Sequence, residues 1–340
     1  MAKFEAKGSV RVDLVGGTLD LIPINLILKD VVTINMATSL FAQVAISFDT
    51  SLDKNIKIIS QDYATEESFN WEQAKKYQGP LKLALEILLF FKQDIEKLKT
   101  KLRIELKSDA PAGSGLGGSS AMGVTLYKAL CEALKLDFQR IKAISIVNGL
   151  EAKILNKGPA GYQDYYPAVF GGVLALRPSP GQVLVEQFYN SEFFDEFMKR
   201  VTLVFSGVSR NSGINNWEVY KAFFDQEAGV KNGLAKIAEI SHRAYECLVK
   251  KDLEGLLSAI SEEGEAREQL FANIVAPEVS DLINDIRLSF SNVGLKVCGA
   301  GGGGCFLLVH NEEDKDEISS IVQNHNMKVM NFTIERPLHT

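Results

Sequence analysis

The sequence predicts a two-domain α+β protein, and three observations carry that prediction. Strand-like and helical segments alternate up to about residue 180, and the pattern restarts near Gln187. At 340 residues the chain has a length that more often makes two domains than one. Its hydrophobic fraction of 46% and charged fraction of 24% are those of an ordinary globular protein with a full core. The expected division is residues 1–185 and 186–340.

The elements follow in order. Met1 to Lys7 lacks the apolar centre of a leader, and no apolar run is long enough to cross a bilayer, so a cytoplasmic location is expected. Strands are expected at Val31 to Asn35, Phe41 to Ser47 and Ile56 to Ser60, and a helix at Pro80 to Leu98. Leu102 to Leu106 alternates apolar and charged side chains as a half-buried strand does. Helices are expected again at Ala121 to Leu134 and Gln139 to Leu155. In the second half, strand Thr202 to Ser206 precedes helical segments between Asn215 and Lys250 and a helix at Ser280 to Ser289. Gly-rich hairpin-like strands, a helix at Asp314 to Gln323 and a strand at Lys328 to Ile334 close the chain, with no internal repeat.

The chemistry concentrates at Pro111 to Ala121, a glycine-dense turn that runs from a strand straight into a helix. Glycines let backbone amides close around an anion, and the unpaired first-turn amides of the helix favour negative charge there. A polyphosphate suits this cradle. The chain has no G-x-x-x-x-G-K-[ST]. Gly113, Gly115 and Gly118 satisfy G-x-G-x-x-G, but a dinucleotide fold requires a strand ending in an acidic residue soon afterwards, and Phe138 to Val147 keeps helical spacing instead. The net charge of −6 argues against a nucleic-acid partner. The four cysteines form no C-x-x-C pair and the four histidines are scattered, which argues against a thiol or histidine metal centre. Cys298 and Cys305 bracket a second glycine run, where small-residue packing is the expected role.

Pro111 to Ala121 resembles the second signature of the GHMP kinase superfamily. Arg11-Val-Asp-Leu-Val-Gly-Gly-Thr-Leu-Asp20 is similar, without a gap, to the first signature, and Lys296 to Val309 to the third. Gly158 to Gly172 resembles the segment that bears the catalytic carboxylate in the heptose kinase branch. Three signatures in the right order span most of the chain. The implied fold is an N-terminal domain like domain 2 of ribosomal protein S5 and a ferredoxin-like C-terminal domain. The implied activity is ATP- and Mg²⁺-dependent phosphorylation of a small sugar or sugar phosphate, by a monomer or homodimer with no nucleic-acid or membrane partner. The Gly16-Gly17 pair and Asp20-Leu-Ile-Pro23 resemble kinases of heptose 7-phosphate and fucose more than galactokinases, and a mevalonate-type acceptor would predict lysine in place of Arg11. D-glycero-D-manno-heptose 7-phosphate is the first acceptor implied. Fucokinase or galactokinase activity, a mevalonate-pathway kinase or decarboxylase, and a silent sugar sensor are the alternatives.

The resemblance also assigns roles. Pro111, Gly113, Ser114, Gly115, Leu116, Gly117, Gly118, Ser119 and Ser120 would hold the nucleotide, with Ser119 and Glu151 ligating Mg²⁺ and Ser120 as the fallback ligand. Asp164 would accept or orient the acceptor proton beside Arg11. Asp20, Gly16, Gly17, Thr18, Gln163, Gly301, Gly302 and Arg210 would surround the acceptor, and the glycine run from Gly299 to Gly304 would support the phosphate loop from the other domain. On the residues alone, Asp164 reads first as a turn residue and Glu151 as a solvated helix charge, and Arg210 reads equally as a surface arginine. Tyr165 stands where heptose kinases usually have glutamine, which touches the expected acceptor contacts.

Overall fold

A computed structural model describes residues 3–155, 160–208 and 216–338. The first half is built on a seven-stranded sheet: β1 (Lys3–Val15), β2 (Thr33–Phe48), β3 (Ile56–Ser60), β4 (Thr65–Phe69), β5 (Leu102–Ser108), β6 (Val173–Ser179) and β7 (Gln182–Gln187). Its order is β4-β3-β5-β2-β6-β7, with β1 also paired to β2. Only β3 and β5 run parallel; the other pairings are antiparallel. The Gly118–Ala133 helix packs across β1 and β2, with Thr125 against Gly8 of β1, which puts the glycine-rich turn at the edge of that layer. The second half carries β8 (Val201–Phe205), β9 (Gly294–Val297), β10 (Cys305–Val309) and β11 (Lys328–Val329) in the antiparallel order β11-β8-β10-β9. Helices join β8 to β9 and β10 to β11, which is the ferredoxin-like arrangement expected. Among the described residues no helix is long and apolar enough to cross a membrane.

Several elements differ from their expected form. The two strands expected between Val31 and Ser47 are one, because β2 takes up the irregularity itself, running four residues from Ala37 to Phe41 against two of β1 between Ser9 and Arg11. The helix expected at Pro80 to Leu98 breaks at Phe91, which leaves helical geometry (ψ 4°) and packs its ring 4.8 Å from that of Tyr127. The strand expected to reach Ile334 ends at Val329. Residues 333–335 instead bond back to β2, with Ser39 N–H donating to the Thr333 carbonyl and Glu335 N–H to that of Ala37. The C-terminal tail therefore returns to the first half, and the expected division at 185/186 falls inside β7.

One long helix, Leu253–Glu268, has no counterpart among the elements expected from sequence. Glu263, Gly264 and Arg267 interrupt its apolar stripe. That glycine is needed: a Cβ on Gly264 would lie 1.9 Å from the Leu295 carbonyl oxygen, so only glycine lets the helix rest on β9. Asp252 caps its start by accepting the Gly255 N–H at 2.9 Å.

Candidate active site

The glycine-rich turn forms one wall of a cleft of about 420 Å³ between the halves. Gly113, Gly115 and Gly117 have φ of +72°, +77° and +72°, a region that penalises any side chain. Gly117 caps the Gly118–Ala133 helix without a side-chain partner, so the first-turn amides stay free to meet an anion. Pro111, Gly113, Ser114, Gly115, Gly117, Gly118, Ser119 and Ser120 all line the cleft. Leu116 does not. It is fully buried and offers only its carbonyl, which accepts the Arg11 N–H at 3.0 Å.

Arg11 and Asp164 come together from opposite ends of the first half. Arg11 Nε and Nη2 both reach Asp164 Oδ1, at 2.8 and 2.6 Å, and Nη1 donates to the Gly115 carbonyl at 2.6 Å. Burial works against the Arg11 charge, but Asp164 and Asp13 outweigh it and hold its pKa above the ordinary value. Asp164 sits in the single turn Gln163–Tyr165, and a Cβ on Gly117 would touch its Cβ at 3.1 Å. The carboxylate thus abuts the phosphate loop.

Around this pair lies a polar floor. Asp20 accepts the Gln163 N–H at 3.0 Å, and Gln163 Nε2 donates to the Gly17 carbonyl at 2.6 Å. Burial, then the Asp164 charge, pushes the Asp20 carboxyl up to about 7. Among the described residues, Thr18 Oγ1 and Gln163 Oε1 are buried without a protein partner. Gly17 and Thr18 line the cleft, whereas Gly16 is buried beneath it (φ +80°) with no room for a Cβ below the Val32 carbonyl.

Glu151 lies across the loop from Asp164. Its Oε2 accepts from Ser120 Oγ at 2.8 Å and from the Tyr165 hydroxyl, and Ser119 also bonds its side chain. Burial raises the Glu151 pKa, and those hydroxyls partly offset it. Ser119 is exposed to the cleft while Ser120 is buried. A carboxylate and one accessible hydroxyl fit Mg²⁺, which takes few protein oxygens and completes its shell with water and phosphate. Tyr165 is fully buried and serves Glu151, so the departure at this position bears on the carboxylate rather than on the acceptor.

From the second half, the glycine run between β9 and β10 meets the phosphate loop backbone to backbone. Cys305 N–H donates to the Ser114 carbonyl at 2.6 Å, and a Cβ on Gly304 would lie 2.7 Å from the same oxygen. Gly299 and Ala300 line the cleft. Gly301 and Gly302 do not; they are buried against Ile274, whose carbonyl accepts the Gly302 N–H at 2.8 Å. Arg210 lies outside the described residues.

A group that sequence reasoning missed stands beside Arg11. Asp13 Oδ2 meets Lys296 Nζ at 3.1 Å and Arg267 Nη1 at 3.3 Å, and Glu263 meets the same two cations at 3.3 and 3.6 Å. Arg267 also lines the cleft and donates to the Gly299 carbonyl. The signal available in the sequence was weak: a lone Asp in an apolar strand and a lone Lys before the third glycine run.

Comparison with known proteins agrees with this architecture. The family model of the GHMP kinase N-terminal domain matches residues 82–172, and that of the GHMP kinase C-terminal domain matches residues 244–328, together more than half of the chain. A mevalonate kinase of Saccharolobus solfataricus is 25% identical over 285 residues, covering 83% of this chain and 81% of its own. A D-glycero-alpha-D-manno-heptose 7-phosphate kinase of Campylobacter jejuni is 23% identical over 72% of this chain and 71% of its own. The crystal structure of a D-glycero-D-manno-heptose 1-phosphate kinase from Bacteriodes thetaiotaomicron shares the fold with a TM-score of 0.75 at 22% identity, covering 99% of this chain and 97% of that one. With the two family domains matched in order and the fold shared along its length, the chain belongs to the GHMP kinases, ATP-dependent phosphotransferases.

Proposed function

We propose that this protein transfers the γ-phosphoryl group of ATP to a hydroxyl of a sugar or sugar phosphate, with D-glycero-D-manno-heptose 7-phosphate the first acceptor to test. The observation that carries the reading is the Arg11–Asp164 pair set against Gly117 of the phosphate loop. Phosphoryl transfer asks a protein for alignment and charge neutralisation more than for covalent chemistry. Both Arg11 bonds go to Oδ1, so Asp164 Oδ2 keeps its lone pairs for an acceptor hydroxyl. The Arg11 guanidinium stabilises the alkoxide and the phosphoryl oxygens as charge develops. Loop amides from Gly113 to Ser119 hold the nucleotide phosphates. Ser119 and Glu151 are the residues that would hold Mg²⁺, which when bound neutralises phosphate charge.

Thr18 Oγ1 and Gln163 Oε1, unpaired among the described residues, and Asp20, which accepts the Gln163 N–H, support an acceptor rich in hydroxyls. The Gly16-Gly17 turn and the heptose 7-phosphate kinase relative support a heptose acceptor. The mevalonate kinase relative supports a second reading, against which Arg11 stands in place of lysine.

The test is ADP release with heptose 7-phosphates, fucose, galactose and mevalonate, each with and without Mg²⁺. Turnover should require both the metal and a sugar. Turnover with mevalonate alone would select the second reading, and turnover without any acceptor or metal would overturn the mechanism.

A further inference from the structure

The buried charge cluster beside Arg11 is divided unequally between the two halves. Asp13 comes from β1; Glu263 and Arg267 come from the Leu253–Glu268 helix, and Lys296 from β9. Asp13, Glu263 and Lys296 are wholly buried and Arg267 is 4% exposed. Two carboxylates and two cations balance in charge. Such a group stabilises a fold little better than apolar residues of the same volume, because taking ions from water is costly. Its use is better sought in what it holds.

It holds three things on the cleft. Two residues along the same face of β1 from Arg11, Asp13 belongs to the strand that carries the pair with Asp164. Its carboxylate fills the space that the missing Gly17 side chain leaves: a Cβ there would lie 1.8 Å from Oδ2, so the Gly16-Gly17 turn is shaped around it. Through Arg267, which donates to the Gly299 carbonyl, it reaches the start of the glycine run that ends on Ser114. One side chain from the first half therefore touches the acceptor turn directly and the second half's loop through a single arginine.

We propose that Asp13 is a positioning residue: its ion pair with Arg267 and Lys296 pins the Gly299–Gly304 loop of the second half to the strand bearing Arg11. The pin sets the distance across the cleft at which nucleotide and acceptor meet. This rests on the phosphoryl-transfer reading for its kinetic consequence, but the pinning itself is readable in the unliganded chain. Asp13→Asn keeps the volume and removes the charge, leaving two cations against Glu263.

Amide hydrogen exchange on the full chain reads the pin without any substrate. In Asp13→Asn the amides of Gly302, Gly304 and Cys305 should exchange at least about tenfold faster, while those of β2 and β5 keep their rates. The kinetic partner is a fall in kcat of about 10- to 100-fold with the ATP KM within about threefold, the size of effect expected from displacing reacting groups by about an ångström. Because the single variant leaves a surplus buried cation, Asp13→Asn/Lys296→Met is measured beside it, and alone where the single variant does not accumulate. The double variant should recover thermal stability yet keep the fast loop exchange and low kcat. Unchanged loop exchange in either variant, or recovery of kcat together with stability in the double, would overturn the proposal. Loosened loop amides in a chain that phosphorylates no acceptor would uphold the pin and count only against the proposed function.

Discussion

Two charge clusters grow from alternate positions of β1, and they differ in how much water reaches them. Arg11 pairs with Asp164, whose side chain keeps 27% of its surface exposed, while Asp13, with none, meets Arg267 and Lys296, the two cations that Glu263 also holds. In the first, one carboxylate oxygen remains unclaimed at the cleft. In the second, both cations reach both carboxylates, and Arg267 and Lys296 also donate to the Gly299 and Val297 carbonyls. The contrast separates two uses of the same residue types: an ion pair at the edge of solvent is available to react, and one in the interior fixes where its neighbours stand.

The largest expected effect tests the reactive pair. Asp164→Asn should lower the rate of single-turnover phosphorylation by about 10²- to 10⁴-fold, the usual worth of general-base assistance, with ATP affinity nearly unchanged. A near wild-type rate would reduce Asp164 to a turn residue and leave its cluster no more reactive than that of Asp13. Next, Gly117→Ala brings a Cβ onto Asp164 at 3.1 Å and forces a left-handed φ on alanine. Its kcat/KM should fall by about a hundredfold, with a lower melting temperature. Gly118→Ala is the control for stability, since its Cβ would come no nearer than 4.0 Å to Ser108 Oγ and its melting temperature should hold.

Smaller effects concern the groups that flank the pair. Ser119→Ala should raise the Mg²⁺ concentration needed for half-maximal turnover by about tenfold while the melting temperature holds, because it removes an accessible hydroxyl and no core volume. The same rise in Ser120→Ala with Ser119→Ala silent would move the ligand to Ser120.

The smallest effect is on pH dependence and belongs to Asp20, whose carboxyl is pushed up to about 7 by burial and by Asp164. Between the ordinary carboxylate pKa and about 7 the native state holds a proton that the unfolded chain has released. That contribution to stability is complete at low pH and is lost as pH rises through 7. Relative to Asp20→Asn, the wild type should therefore lose a few degrees of melting temperature between about pH 5 and pH 8, measured by thermal unfolding across the range. A flat difference would mean that the acid floor titrates as an ordinary surface group.

The sequence was legible where the site is made of backbone. A glycine run between a strand and a helix is local, so Gly113, Gly115 and Gly117 and their anion-binding geometry follow from neighbours in the chain. Arg11, Asp164, Asp20 and Glu151 came from resemblance to known signatures, because each is an unremarkable residue until the fold brings it to its partner, across more than a hundred positions for Arg11 with Asp164 and Asp20 with Gln163, and across thirty-one for Glu151 with Ser120. Asp13, Glu263 and Arg267 stayed hidden for the same reason and a further one. The helix that carries Glu263 and Arg267, Leu253–Glu268, puts those two charges and Gly264 on the face it buries, which erases the apolar periodicity that marks a packed helix. Leu116, Gly301 and Gly302 were read as contacts because they lie within glycine-rich signatures, yet the turns that point their neighbours at the cleft point these three away from it.

The bond from Cys305 N–H to the Ser114 carbonyl joins the two halves with main-chain atoms alone. A joint of that kind is indifferent to side-chain identity and sensitive only to bulk. Sequence drift could change Cys305 for another small residue without altering the joint, whereas one methyl group on Gly304 would wedge it apart. A saturation scan for retained turnover should therefore show the seam as a narrow line of sites that reject every replacement, bordered by sites that accept many.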